Sequence, residues 1–149
     1  MNTGKGSPPV TVPPIGTASE PRTHLVEAGA IRDFSQALGL NYQAYYSKSY
    51  AQSFGFADII APPTFAITLA GHPVPGLDLP HSGLIHGDQA FKFGTPIAAH
   101  DTIRVVSTLI GTKARGPLTF LTIETTGTNQ REEWVFTSTS TIIASQEVS

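Results

Sequence analysis

At 149 residues and a net charge of −2, with nine Lys plus Arg against eleven Asp plus Glu, the chain is one domain's worth of sequence. It lacks the basic stripe that nucleic-acid binding needs. It has no cysteine, which excludes disulfides, thiolate metal sites and a cysteine nucleophile. Its apolar runs are too short for a membrane span, and its 13% charged residues are about half the usual ~25%, so part of its surface is expected to lie against another subunit.

Residues 1–22 hold Pro8, Pro9, Pro13, Pro14 and Pro21 with Gly4, Gly6 and Gly16, a composition that predicts a flexible arm. A single domain is expected over residues 23–145, with a short tail at 146–149. Residues 23–26 suit a short strand. From Glu27 to Leu38, Ala30, Ile31, Phe34, Ala37 and Leu38 recur at three- and four-residue steps, which predicts a helix stopped by Gly39. A second short helix is expected over Ser47–Ser53, capped by Ser47 and ended by Gly55. After Pro62-Pro63 the chain is nearly uncharged to Gly71, which predicts a central helix over 63–71 that is buried all round. Residues 72–82, rich in Pro and Gly, read as a surface loop.

From Gly83 the chain turns to strand chemistry. Seven of the eleven residues from 102 to 112 are β-branched, as are six of twelve in each of 117–128 and 133–144. Turn signals at Gly94–Pro96, Gly111–Pro117 and Thr128–Arg131 separate four strands near 83–93, 102–112, 117–128 and 133–144. Short connections imply antiparallel pairing. The inventory is α+β: helices first, then an antiparallel meander that wraps them.

Among the five histidines none stands at a metal-ligand spacing, so no metal is expected. His100-Asp101 falls in a turn, where Asp commonly bonds the local backbone. His86-Gly87-Asp88-Gln89 opens a strand, and its glycine permits close approach of another backbone or a ligand. A nucleophile elbow, a phosphate loop and a dinucleotide fingerprint are all missing. At Ala61-Pro62-Pro63-Thr64-Phe65 a buried helix would present the N–H groups of Thr64 and Phe65 at its positive end, where a carbonyl could be polarised or an enolate oxygen held.

Taken together, Phe34-Ser-Gln-Ala-Leu-Gly39, Tyr45 through Ala51, Ala61-Pro-Pro-Thr-Phe65, Pro75-Gly-Leu77, Leu84-Ile-His-Gly-Asp-Gln89, Phe93-Gly-Thr-Pro-Ile97, Asp101 and Gly116-Pro-Leu-Thr-Phe120 with Glu124 follow a familiar order. Over residues 24–144 the sequence resembles the MaoC-like hotdog dehydratases, in particular their N-terminal, FAS1-like half. It is also similar to the N-terminal half of type-2 enoyl-CoA hydratase. The resemblance implies a hotdog fold, a curved antiparallel sheet around a long central α-helix, working as a dimer or tandem pair. It implies reversible hydration of an enoyl thioester to an (R)-3-hydroxyacyl thioester. That reaction needs proton handling at two carbons and donors at the thioester oxygen.

Catalytic members of that family carry an Asp and a His in a segment like G-D-x-N-P-x-H. Here the segment reads Gly39-Leu-Asn-Tyr-Gln-Ala-Tyr45, with Leu40 at the Asp position and Tyr45 at the His position. Leucine takes no proton, and tyrosine is a poor base at neutral pH. The resemblance therefore implies an acyl-binding half without its own dyad, paired with a catalytic hotdog subunit. Its site would be lined by Tyr45, Ala61, Thr64, Phe65 and His86. The expected ligand is an acyl-CoA or acyl-carrier-protein thioester, whose pantetheine is ligand rather than cofactor, and no cofactor is expected. Two other readings stay open: a homodimer that binds acyl thioesters without turnover, and a hotdog thioesterase with Asp88 or Glu124 as base. The third requires one of those carboxylates to face the central helix. With no targeting signal recognised, the expected location is cytoplasmic.

Overall fold

The computed structural model describes residues 10–71 and 73–145. In chain order come β1 (Arg22–Leu25), α1 (Ala28–Ala37), a 3-10 turn at Gln43–Tyr45, α2 (Lys48–Ser53) and a 3-10 helix at Pro63–Thr68. Four longer strands follow: β2 (Leu84–Phe93), β3 (Thr102–Arg115), β4 (Leu118–Thr128) and β5 (Trp134–Ser145). The five strands form one antiparallel sheet in the order β1-β3-β4-β5-β2. The strands, α1 and α2 lie where the sequence predicts them, within one to three residues. Ser47 Oγ accepts from the N–H of Tyr50 at 3.2 Å, the expected cap.

Strand alternation sorts the sheet into two faces. The inner face can be read in rows across the strands. One row runs Val105–Gly127–Phe136–Phe93, the next Ser107–Thr125–Ser138–Phe91, and the next Leu109–Ile123–Ser140–Gln89. A fourth row holds Leu121, Ile142 and His86. The first row is apolar and buried from Val105 to Phe136, with Phe93 exposed at its outer end. Ile31 of α1 packs there with Ile59, Phe65, Ala66, Leu69, Ile103, Val105 and Phe136. Phe34 adds an edge-on contact to Phe65, with ring centroids 5.5 Å apart.

Two expectations need correction. The first is the central helix. Residues 63–71 form no long α-helix buried all round, but a six-residue 3-10 helix with Phe65 and Ala66 inward and Thr64, Ile67 and Thr68 exposed. The pattern is set from the first turn, where Phe65 N–H donates to Pro62 O at 2.9 Å, and Thr68 Oγ1 donates to Phe65 O at 2.8 Å. Leu69 N–H donates to Ala66 O at 3.1 Å, again the 3-10 pattern. Gly71, at φ +91, then ends the segment.

The second is the arm. Residues 1–9 lie outside the described residues, but from Val10 the chain lies against the sheet. β1 covers only the first residues of β3, so the edge of β3 at Ser107 and Leu109 needs partners of its own. Gly16 N–H donates to Leu109 O at 2.8 Å, Ser19 N–H to Ser107 O at 2.7 Å, and Leu109 N–H to Thr17 O at 3.0 Å. Proline richness reports poor helix and central-strand capacity, which suits an edge-following segment as well as a free one.

The segment 73–82 is the expected loop and mostly exposed, but it also turns side chains inward. His72 lies outside the described residues. Val74 is buried, and Leu77 and Leu79 pack with it against Leu109 and Leu121. This loop is a wall of the molecule.

Gly127 illustrates how tightly the covered half is filled. A Cβ there would lie 2.4 Å from the Phe136 ring, itself fully buried. Gly127→Ala is expected to destabilise by about 1–3 kcal/mol through overpacking. That corresponds to a fall in Tm of roughly 3–10 °C, measurable by thermal melting. An unchanged Tm would mean the ring has room to move.

Candidate functional site

α1 and the 3-10 helix cover the first row of the inner face, and past them a groove of about 620 Å³ crosses the remaining rows. Ile67, Ala70 and Val74 with Leu77 and Leu79 of the loop form one wall, and Leu84, Ile85, Ile123 and Ile142 carry its apolar surface across the sheet. A volume of this size and lining suits a small-molecule site.

Its floor is not apolar throughout. A diagonal of polar side chains follows the rows. Ser107 Oγ lies 2.7 Å from Thr125 Oγ1, both buried. Gln89 Nε2 donates to Ser138 Oγ at 2.6 Å, and Ser140 Oγ donates to Gln89 Oε1 at 3.0 Å. His86 Nε2 lies 3.1 Å from Ser140 Oγ. The last pair depends on an irregularity in β2. Register shifts between His86 and Asp88, leaving Gly87 as an extra residue. Without that bulge, residues 86 and 89 would lie on opposite faces of the strand. With it, both side chains line the groove. Burial of each methylene of an apolar ligand here is worth about 0.8 kcal/mol. Stripping a polar group of its partner costs about 1–3 kcal/mol. The diagonal therefore has as much influence on what binds as several carbons of chain.

The five residues expected at one site lie in four places. His86 lines the groove. Tyr45 and Ala61 line a separate cavity of about 180 Å³ with Pro62, Ala66 and Phe93. The 3-10 helix stands between the two, with Ala66 toward the smaller cavity and Ile67 toward the groove. Phe65 belongs to the core, and Thr64 is exposed. The helix-start donor pair also needs correction, because Phe65 N–H is spent on Pro62 O at 2.9 Å. The thioesterase geometry fails as well. Asp88 and Glu124 pair with Thr141 and Thr139, on the sheet face away from the groove. Tyr45 has its phenol pKa raised, by burial first and by neighbouring Tyr42 second, so it stays a neutral donor further into alkaline pH.

A carboxylate and an imidazole do approach one another elsewhere. Asp58 Oδ2 lies 3.5 Å from His100 Nε2 and 3.6 Å from Lys48 Nζ, beside a polar cavity of about 530 Å³. Asp58 also accepts from the Ile59 N–H at 2.7 Å, which ties it to its own backbone. In the same turn Asp101 accepts from the Ala98 N–H at 2.9 Å, the local bond the sequence suggested. The described residues hold no cluster of three or more His, Asp or Glu side chains suited to a metal ion.

Thr125, Ser138 and Ser140 were not singled out from the sequence, and Gln89 was named only within the His86–Gln89 strand opening. Their signal is the inward-facing period of two in β5, Phe136, Ser138, Ser140, Ile142, where small hydroxyls replace the apolar residues a core would carry.

Three comparisons bear on this geometry. The FAS1-like dehydratase domain region matches residues 14–138. A UPF0336 protein of Saccharopolyspora erythraea is 36% identical over 132 residues, covering 83% of this chain and 85% of that protein. Two solved structures share the hotdog fold at low identity. One is the HadBC (3R-hydroxyacyl-ACP dehydratase) complex of Mycobacterium tuberculosis, at 20% identity and a TM-score of 0.73, covering 87% of this chain and 96% of that one. The other is the MaoC-like dehydratase of Rhodospirillum rubrum, at 19% identity and a TM-score of 0.70, covering 91% and 95%.

The buried Ser107–Thr125 pair gives a stability test of the polar floor. Thr125→Val keeps the volume but removes the partner of Ser107, and a loss of about 1–3 kcal/mol is expected. Adding Ser107→Ala to Thr125→Val should recover part of that loss in denaturant unfolding. Additive losses would show that the two hydroxyls are not coupled.

Proposed function

The chain belongs to the family of FAS1-like dehydratase domains, and from that premise we propose that it is the acyl-holding half of an (R)-specific enoyl-thioester hydratase or 3-hydroxyacyl-thioester dehydratase. It pairs with a second hotdog chain that supplies the proton-handling groups, and its ligand is an acyl-CoA or acyl-carrier-protein thioester of fatty-acyl metabolism. The observation that carries this reading is a groove of acyl-chain size with no carboxylate among its described lining residues. Hydration needs a base for water and a manager for the proton at the α-carbon, and no carboxylate–imidazole pair meets in that groove.

The positions that would hold the dyad add support. Leu40 is 36% exposed, and Tyr45 lines the other cavity as a neutral phenol. In this reading Tyr45 is a hydrogen-bonding wall for the ligand, with Ala61, Thr64 and Phe65 supporting it and His86 at the groove. Surface chemistry supports the partner. β2 is an outer strand of the sheet, ten residues long, with Leu84, Ile85 and Phe93 exposed along it. An unpaired apolar strand edge of that length is a ready contact for another chain. Leu38, Tyr42 and Phe54 add exposed apolar area near the first helices.

Purified chain given crotonyl-CoA is expected to show no hydration above the uncatalysed rate. Addition of a hotdog chain carrying G-D-x-N-P-x-H should bring activity that neither chain shows alone. Hydration by the single chain, abolished by His86→Ala or by His100→Ala, would place the chemistry here and overturn the division of labour. Tight thioester binding with no turnover in any combination would instead favour a carrier.

A further inference from the structure

The loop wall of the groove has one backbone attachment. Among the described residues, the segment from Pro73 to Ser82 bonds its backbone to the rest of the chain only at Thr11. Thr11 N–H donates to Asp78 O at 3.2 Å, and Asp78 N–H donates to Thr11 O at 3.0 Å. Side chains follow the same contact. Val10 and Val12 pack on the cluster of Val74, Leu109 and Leu121 that Leu77 and Leu79 also join. Pro13 lies over Gly76, where an added Cβ would come 3.2 Å from the proline's own. The chain then turns, with Thr17 N–H and Thr17 Oγ1 both donating to Pro14 O. Beyond the turn it is fastened to the floor. Besides the bonds to the edge of β3, Ser107 N–H donates to Ser19 Oγ at 2.9 Å, and Ser107 carries the hydroxyl that meets Thr125 of the groove floor. Residues 11–19 thus join wall to floor, although none of them is among the groove's described lining residues.

Resting on the reading that this groove holds an acyl chain, we infer that residues 11–19 are a strut that sets the distance between wall and floor, so that affinity for the chain is governed from a segment outside the groove. The reason lies in what a loose wall does. A methylene gains its full burial only when apolar surface meets it on both sides. A wall free to open leaves contacts to the head of the ligand in place and forfeits the gain from added carbons. Thr11 is a positioning residue that acts through its backbone, its side chain being exposed.

The test makes two measurements on the full chain, in wild type and in Thr11→Pro, which removes the N–H that donates to Asp78. Hydrogen exchange of Leu77 and Asp78 reports the wall. Both amides should exchange about tenfold faster in the variant, while those of β4 keep their rates. Calorimetry with butanoyl-, hexanoyl-, octanoyl- and decanoyl-pantetheine reports the groove. Wild-type affinity should climb by up to about fourfold per methylene, and the logarithm of that climb should fall by about half or more in Thr11→Pro. Thr11→Val keeps the N–H and should match wild type in both measurements. Deletion of residues 1–13, which spares the attachments at Gly16, Thr17 and Ser19, should match Thr11→Pro. Unchanged exchange at Leu77 and Asp78, or an unchanged climb, overturns the inference and leaves the acyl-binding reading intact. Unfolding of both variants does the same, since the segment would then hold the whole fold rather than the groove. Wild type that binds none of the four probes, or binds all four alike, overturns the acyl-binding reading and this inference with it.

Discussion

The structure depends on a mismatch of lengths between its two layers. α1 has ten residues and spans about 15 Å. β3 has fourteen and reaches about 46 Å. The 3-10 helix at Pro63–Thr68 adds only six residues of cover. A sheet this long cannot be shielded by helices this short, so one half of its inner face becomes a core and the other half a groove. The side chains follow that division. Where helices lie over the sheet, the row holds Val105 and Phe136, and Gly127 is kept bare to admit the ring. Where they do not, hydroxyls and an amide take over and satisfy each other laterally across the strands. The groove is thus a consequence of where cover ends.

The same mismatch explains the roles taken by segments that are neither helix nor strand. β3 outruns β1, and residues 16–19 supply the backbone partners it lacks. The groove outruns the helices, and Val74, Leu77 and Leu79 give it a wall. Both segments are rich in proline and glycine. Their composition states what they cannot be and not where they go, and for that reason the first was misread from the sequence as a free arm, and the second was read as a surface loop without its inward-facing Val74, Leu77 and Leu79. The long strands were legible because a high density of β-branched residues between turn signals has few alternatives. α1 was legible from its apolar stripe. The 3-10 geometry after Pro63 was not, because an apolar run after a proline pair carries no signal that separates three-residue from four-residue bonding.

Less of the site could be read. The family was visible in the order of short motifs along the chain, and the comparisons bear it out. Which residues meet in space was not visible, since Tyr45 and His86 fall on opposite sides of a helix whose two faces look alike in sequence. The polar floor was hidden for another reason. Ser138 and Ser140 sit among threonines that point to solvent, and only the register of the sheet separates inward from outward. Glu124 shows the same parity from the other direction: one residue from Ile123 and Thr125, it faces away from the groove.

The extra residue at Gly87 carries a consequence for how such a surface could diverge. It acts as a phase shifter in β2: residues after it keep their orientation, while those before it are rotated by half a pleat. Loss of Gly87 would only straighten the strand, since His86 would then stand two places before Gln89 and still face the groove. The rim's polarity is thus the same with or without the extra residue, which makes Gly87 a point where strand length can change without reversing what a ligand meets.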